Sequence, residues 1–138
     1  MVALMQALQS DETDAGFPVH AAVRPGPPSA RRSERNLELC ECMIDIAAAL
    51  FNVSGRALRH SGRSSHATAR VRQIAMYVAH VVLGLSMNEV GRGFGRDRTT
   101  VLHACHLIED MREDEDFNRI VAMIERVADA ALRHRSGN

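Results

Sequence analysis

The sequence predicts an all-α fold of about six helices. Three observations lead there. Aromatic residues make up 4% of the 138 residues against 46% hydrophobic residues overall, so the core must be aliphatic, and strand-type runs are few. From residue 37 to 131 apolar residues recur mostly at three- and four-residue steps, the spacing that lines one face of a helix. Between residues 86 and 111 the string SMNEVGRGFGRDRTTVLHACHLIEDM reads as two short helices joined by a glycine-bearing turn, a helix-turn-helix at the centre of the fold.

In chain order, residues 1–9 (MVALMQALQ) suit one or two amphipathic turns, but an isolated helix that short is marginal in water. Residues 10–32 hold Gly16, Pro18, Pro25, Gly26, Pro27 and Pro28 and read as disordered. The expected organisation is thus a disordered tail over 1–33 and one helical domain over 34–135. Ser33 is expected to cap the first helix, which runs to about Phe51 with Leu37, Cys40, Ile44, Ala47, Ala48 and Phe51 as its buried stripe. A short helix within 53–60 tucks in Val53, Ala57 and Leu58, and 61–65 (SGRSS) is a loop. A long helix follows from about 67 to Gly84, burying Val71, Ile74, Ala75, Val78 and Val82.

Ser86 with Glu89 forms a capping box, so the next helix begins at Met87, with Val90 and Phe94 as its apolar stripe. Gly93 and Gly95 are expected to break it. Asp97 caps a further helix starting at Arg98. There Val101, Ala104, Cys105, Ile108 and Arg112 share one face, and Thr99, His103 and His106 the opposite one. The acidic run 113–116 suits the start of a last helix, whose apolar side is Phe117, Ile120, Val121, Ile124, Val127, Ala128 and Ala131, and 133–138 should fray.

Formal net charge is zero, but its distribution is uneven. All 17 basic residues are Arg. Residues 52–73 carry Arg56, Arg59, Arg63, Arg70 and Arg72 with no acid, whereas residues 107–129 carry eight acids and three arginines. With no lysine, a Gly-x-x-x-x-Gly-Lys-Ser/Thr nucleotide loop is impossible. Cys40, Cys42 and Cys105 make no secretory framework, no apolar run reaches membrane-span length, and 1–8 lacks the basic start of a signal peptide. The expectation is a cytoplasmic, nucleoid-associated protein with reduced thiols. Cys40 and Cys42 sit two apart on a helix, and Cys105 points away from His103 and His106, so neither group makes a metal site. No cofactor is expected. No Ser-His-Asp or paired-carboxylate arrangement is evident, so an enzyme is not expected either.

A helix-turn-helix presents the first turn of its second helix to base edges in the major groove. Arg98, Thr99 and Thr100 occupy that turn, with His103 one turn on. Threonine offers a methyl to thymine and a hydroxyl to base or phosphate, and Arg98 suits either guanine or a phosphate. The string from Gly95 to Cys105, GRDRTTVLHAC, resembles the signature of the DNA-binding domain at the C-terminus of the bacterial chromosomal replication initiator DnaA. Upstream, Arg70-Val71-Arg72-Gln73-Ile74-Ala75-Met76 is similar to the start of the long helix in that domain, and the likeness spans roughly 37–111.

The resemblance implies a Trp-repressor-like helical fold and double-stranded DNA as partner. It implies that a basic residue of the loop before the long helix, Arg63 or else His66, enters the minor groove. Arg70, Arg72 and Gln73 would touch phosphates, with Arg96, Asp97 and His106 flanking the base readers. Full-length members carry an AAA+ module ahead of this domain; here a tail stands in its place, so a stand-alone domain without nucleotide is expected. The sequence also departs from the family. Arg98 stands where His is usual, the turn is one residue shorter, Val71 replaces a common Pro, and His106 and Leu107 stand where basic residues often sit. The expected function is sequence-specific duplex binding that regulates replication initiation or transcription at box-like sites, with initiation or transcription proteins as further partners. The alternative is a protein-interaction module that has lost DNA affinity, suggested by net neutrality and the acidic end.

Overall fold

The computed structural model describes residues 27–60, 62 and 64–136. Within them lie six helices and no strand: α1 (Pro28–Phe51), α2 (Gly55–Arg59), α3 (His66–Val81), α4 (Met87–Phe94), α5 (Arg98–Met111) and α6 (Glu115–Ser136). Residues 1–26, expected as tail, and Arg63 fall outside the described residues. No described helix is long and apolar enough to cross a membrane.

α1 starts ahead of the expected Ser33 cap, so residues 28–33 belong to the helix rather than to a tail. Pro28 sits in its first turn, where the N–H that proline lacks would have had no intrahelical partner. Asn52 ends α1 in the left-handed conformation at φ 53°, and Val53 N–H donates to Ala48 O at 3.1 Å. The buried stripe of α1 is also rotated from the expected one. Leu39, Cys40, Met43, Ile44 and Ala47 are inside, while Leu37 is 44% exposed.

α2 and α3 are both capped by serine: Ala57 N–H donates to Ser54 Oγ at 3.3 Å, and Thr68 N–H to Ser65 Oγ at 3.1 Å. α3 is the central helix. Val71, Arg72 and every residue over 74–79 are buried, so the expected single stripe is instead a helix enclosed by its neighbours, chiefly α1 and α5. Gly84 turns the chain at φ 72° into α4.

The capping box of α4 is present in both directions, with Glu89 N–H donating to Ser86 Oγ at 3.1 Å and Ser86 N–H to Glu89 Oε1 at 2.8 Å. Glu89 Oε2 also accepts from Asn36 Nδ2 of α1, and Arg32 Nε lies 3.7 Å away. These donors, the Ser86 backbone N–H first, hold the Glu89 carboxyl below its ordinary value. Gly93 does not break this helix. A Cβ there would stand 2.2 Å from Cys40 Sγ and 2.4 Å from Cys40 Cβ, so its absence lets α4 press onto α1. Only Gly95 ends the helix, at φ 66°.

α5 buries Val101, Ala104, Cys105 and Ile108 as expected. At its C-terminal end Tyr77 Oη donates to Glu109 Oε2 at 2.6 Å. Arg112 joins that end to α6: its Nε donates to Asn118 Oδ1 at 2.6 Å, its Nη1 to Tyr77 Oη at 3.2 Å, and the same Nη1 pairs with Glu125 at 3.0 Å. α6 packs on α1 and α3 through Val121, Ile124, Ala128 and Leu132, a narrower stripe than expected, since Ile120 and Ala131 are exposed.

Candidate nucleic-acid interface

The interface is built outward from a tight turn. Arg96 N–H donates to Gly91 O at 2.8 Å, and a Cβ on Gly91 would lie 2.6 Å from Arg96 O. The chain therefore folds back directly over Gly91, and three residues suffice to reverse it into α5. Asp97 then caps α5, accepting from Thr100 N–H at 2.7 Å, and that bond holds its carboxyl below the ordinary value. Because Asp97 is occupied as the cap, its contribution to the interface is first to aim the helix.

With the inner face of α5 buried, Arg98, Thr99, Thr100, His103 and His106 are all exposed on the outer side. Thr100 and His103 turn toward α3. Between α3, the loop before it and α5 lies a cleft of about 270 Å³ lined by Ala69, Gln73, Met76, Arg96, Thr100 and His103 among others. Thus Gln73 and Arg96 are brought beside α5. Arg70, half-buried, donates from Nη1 to Gln73 Oε1 at 2.9 Å, and His66 is exposed at the first position of α3.

Arg72 requires a correction. It is 8% exposed, and its guanidinium points inward, donating to Leu58 O at 2.9 Å, Ala57 O at 3.0 Å and Ser64 Oγ at 3.3 Å. Burial, and secondarily the nearby Arg96 cation, push its pKa below the ordinary value. A guanidinium engaged in this way is not offered to phosphate, so Arg72 is a structural clamp on the C-terminal end of α2. Arg59, part of the same basic run, is likewise paired with Glu41 at 2.6 Å and Asp45 at 3.4 Å. The basic stretch is therefore less available than its count of arginines implies.

Sequence reasoning missed the second role of Arg96. Its Nη2 donates to His60 O at 2.7 Å, tying the turn before α5 to the end of α2. Arg72 and Arg96 together fix the segment entering the α2–α3 loop relative to α5. No local pattern signals this, because the acceptors are backbone carbonyls 14 to 36 residues away in sequence.

Comparison with known proteins agrees with this geometry. Residues 40–108 match the family described as "Bacterial dnaA protein helix-turn-helix". A relative, the chromosomal replication initiator protein DnaA of Laribacter hongkongensis (strain HLHK9), is 44% identical over 70 residues, which is 49% of this chain and 15% of that protein. Two solved structures superpose on the fold at 26% identity. The crystal structure of a DNA replication initiation factor has a TM-score of 0.67 over 73% of this chain and 31% of its own. A replication initiator DnaA bound to AMPPCP and single-stranded DNA has a TM-score of 0.64 over 74% and 31% respectively. The present chain thus spans a minor part of the length of each.

Proposed function

Because this chain belongs to the bacterial DnaA helix-turn-helix family, we propose that it binds double-stranded DNA in a sequence-specific manner, at sites related to those of the replication initiator, and so regulates replication initiation or transcription. The observation that carries the reading is the division of α5. One face is wholly inside the core, and the other exposes Arg98, Thr99, Thr100 and His103 in consecutive turns.

In this reading the N-terminal half of α5 lies in the major groove, wide enough for a helix, and Thr99 and Thr100 meet base edges there. Arg70, Gln73, Arg96 and His106 are assigned to the flanking phosphates, and the minor-groove contact falls to Arg63 or else His66. The aligned N–H groups at the start of α5 add a partial positive charge on the DNA side. If five to eight phosphates are contacted, log K should fall against log salt with a slope of roughly −4.5 to −7. Titration of labelled duplex at several salt concentrations tests this, and a flat response refutes it. The double variant Thr99→Ala, Thr100→Ala should keep the salt slope and lose the preference for one sequence over another. Equal preference in variant and parent would remove the threonines from base reading.

A further inference from the structure

We propose that Arg98 sets the base preference of this protein by gripping N7 and O6 of a guanine, rather than holding a phosphate. The inference rests on α5 being the base-reading helix, and it adds the ligand chemistry of one position. Arg98 opens α5, is exposed, and makes no hydrogen bond or ion pair with any other described residue. Three other arginines of this region do hold such bonds: Arg96 donates to His60 O, Arg72 to the end of α2, and Arg70 to Gln73.

Among the described residues nothing claims Arg98 in return. Asp97, the adjacent carboxylate, is fixed to Thr100 N–H. The residues one turn along α5 from Arg98 are Val101 and Leu102, neither able to pair with it. Arg98 is also absent from the lining of the cleft toward α3, where Gln73, Arg96, Thr100 and His103 gather. Gln73 and Arg96, assigned to phosphates, thus gather toward α3 beside Thr100 and His103, while Arg98 stands outside that cleft at the tip of α5, the part of such a helix that meets base edges.

The chemistry then selects the base. The guanidinium fork carries donors only, and guanine alone presents two adjacent acceptors in the major groove. Adenine sets an amino donor beside its N7, so one arm of the fork would face another donor. Thymine and cytosine offer at most one acceptor in that position. The short side chains of Thr99 and Thr100 hold the helix close enough for this longer one to lie in the plane of the base.

The test starts from sites selected out of a random duplex pool by the intact protein. Each guanine is replaced in turn by 7-deazaguanine, which removes the N7 acceptor while keeping pairing and charge. One position should lose roughly 5- to 100-fold in affinity, the range of a good bidentate pair. In Arg98→Ala that position should respond to neither 7-deazaguanine nor another base, with the salt slope unchanged. Arg98→Lys keeps the charge but not the fork, and should lose most of the guanine preference. If instead no guanine responds and Arg98→Ala reduces the steepness of the salt slope by about 0.9, the residue holds a phosphate and the proposal fails. If the parent protein selects no sequence at all, the failure belongs to the broader DNA-binding reading and takes this one with it.

Discussion

Replacing Arg72 by methionine separates a structural arginine from a phosphate contact. Methionine keeps most of the side-chain length and removes the donors. Two backbone carbonyls, Leu58 O and Ala57 O, lose charged partners at 2.9 and 3.0 Å. Hydrogen bonds to a charged donor contribute about 1.5–3 kcal/mol each, which bounds the loss at about 3–6 kcal/mol. Arg72 is 8% exposed, but His60, next to these carbonyls, is open to water, which can satisfy part of the deficit. The expected destabilisation is therefore about 2–4 kcal/mol, or a fall in Tm of about 10–25 °C for a domain of this size. Thermal and urea unfolding followed by circular dichroism would measure it. Duplex titration of the folded variant at low temperature should give an unchanged salt slope, whereas Arg70→Ala should leave Tm nearly alone and make the slope shallower by about 0.9. A variant at Arg72 with native Tm and a shallower slope would refute the argument.

Two further outcomes follow from the packing of α4. Gly93→Ala should lower stability by about 1–3 kcal/mol, since the new Cβ meets Cys40 Sγ at 2.2 Å and α1 must move away, a strain larger than the roughly 1 kcal/mol that alanine contributes within a helix. Adding Cys40→Gly should recover part of that loss, and urea midpoints of both single variants and the pair would show whether the two sites couple. Glu89, whose carboxyl is held below its ordinary value of 4.5, stabilises the fold above that pH, and its contribution fades as pH falls through the lower folded value. Glu89→Gln should accordingly be less stable than the parent at pH 7, with the gap closing in acid. A gap that widens toward pH 3 would contradict the assignment.

What could be read from the sequence divides by range. The caps at Ser86 and Asp97 were legible because each is a bond between residues three apart, and such bonds leave a local signature. The outward row on α5 was legible for the same reason: one apolar stripe places its opposite face. Arg70 and Arg72 could not be told apart, since both are arginines near the start of one helix. The difference lies in carbonyls of α2, which only the packed structure brings to Arg72. Gly93 read as a breaker because its local preference says so, while its actual use depends on Cys40 in another helix. Proline misled in the opposite direction. Pro27 and Pro28 suggested a chain without structure, yet proline is well tolerated at the first helical position, and α1 begins there. On that helix Leu37 and Leu39 satisfy the three- and four-residue spacing nearly equally, so the choice between them fell to tertiary contact.

The recognition helix has fourteen residues, a rod of about 21 Å. Arg98 stands at one tip; Glu109 and Asp110 stand near the other, followed by the exposed acids of 113–116. A formally neutral molecule therefore carries a dipole along the helix that the proposed binding mode places in the groove. At cellular ionic strength charges are screened over about 8–10 Å, so in that mode the tip at the duplex would feel its phosphates while the acidic end, two such lengths away, would be nearly invisible to them. Dilute salt lengthens that reach and, in the proposed mode, would bring the repulsive end into play, turning the protein as it approaches and limiting how much tighter it can hold.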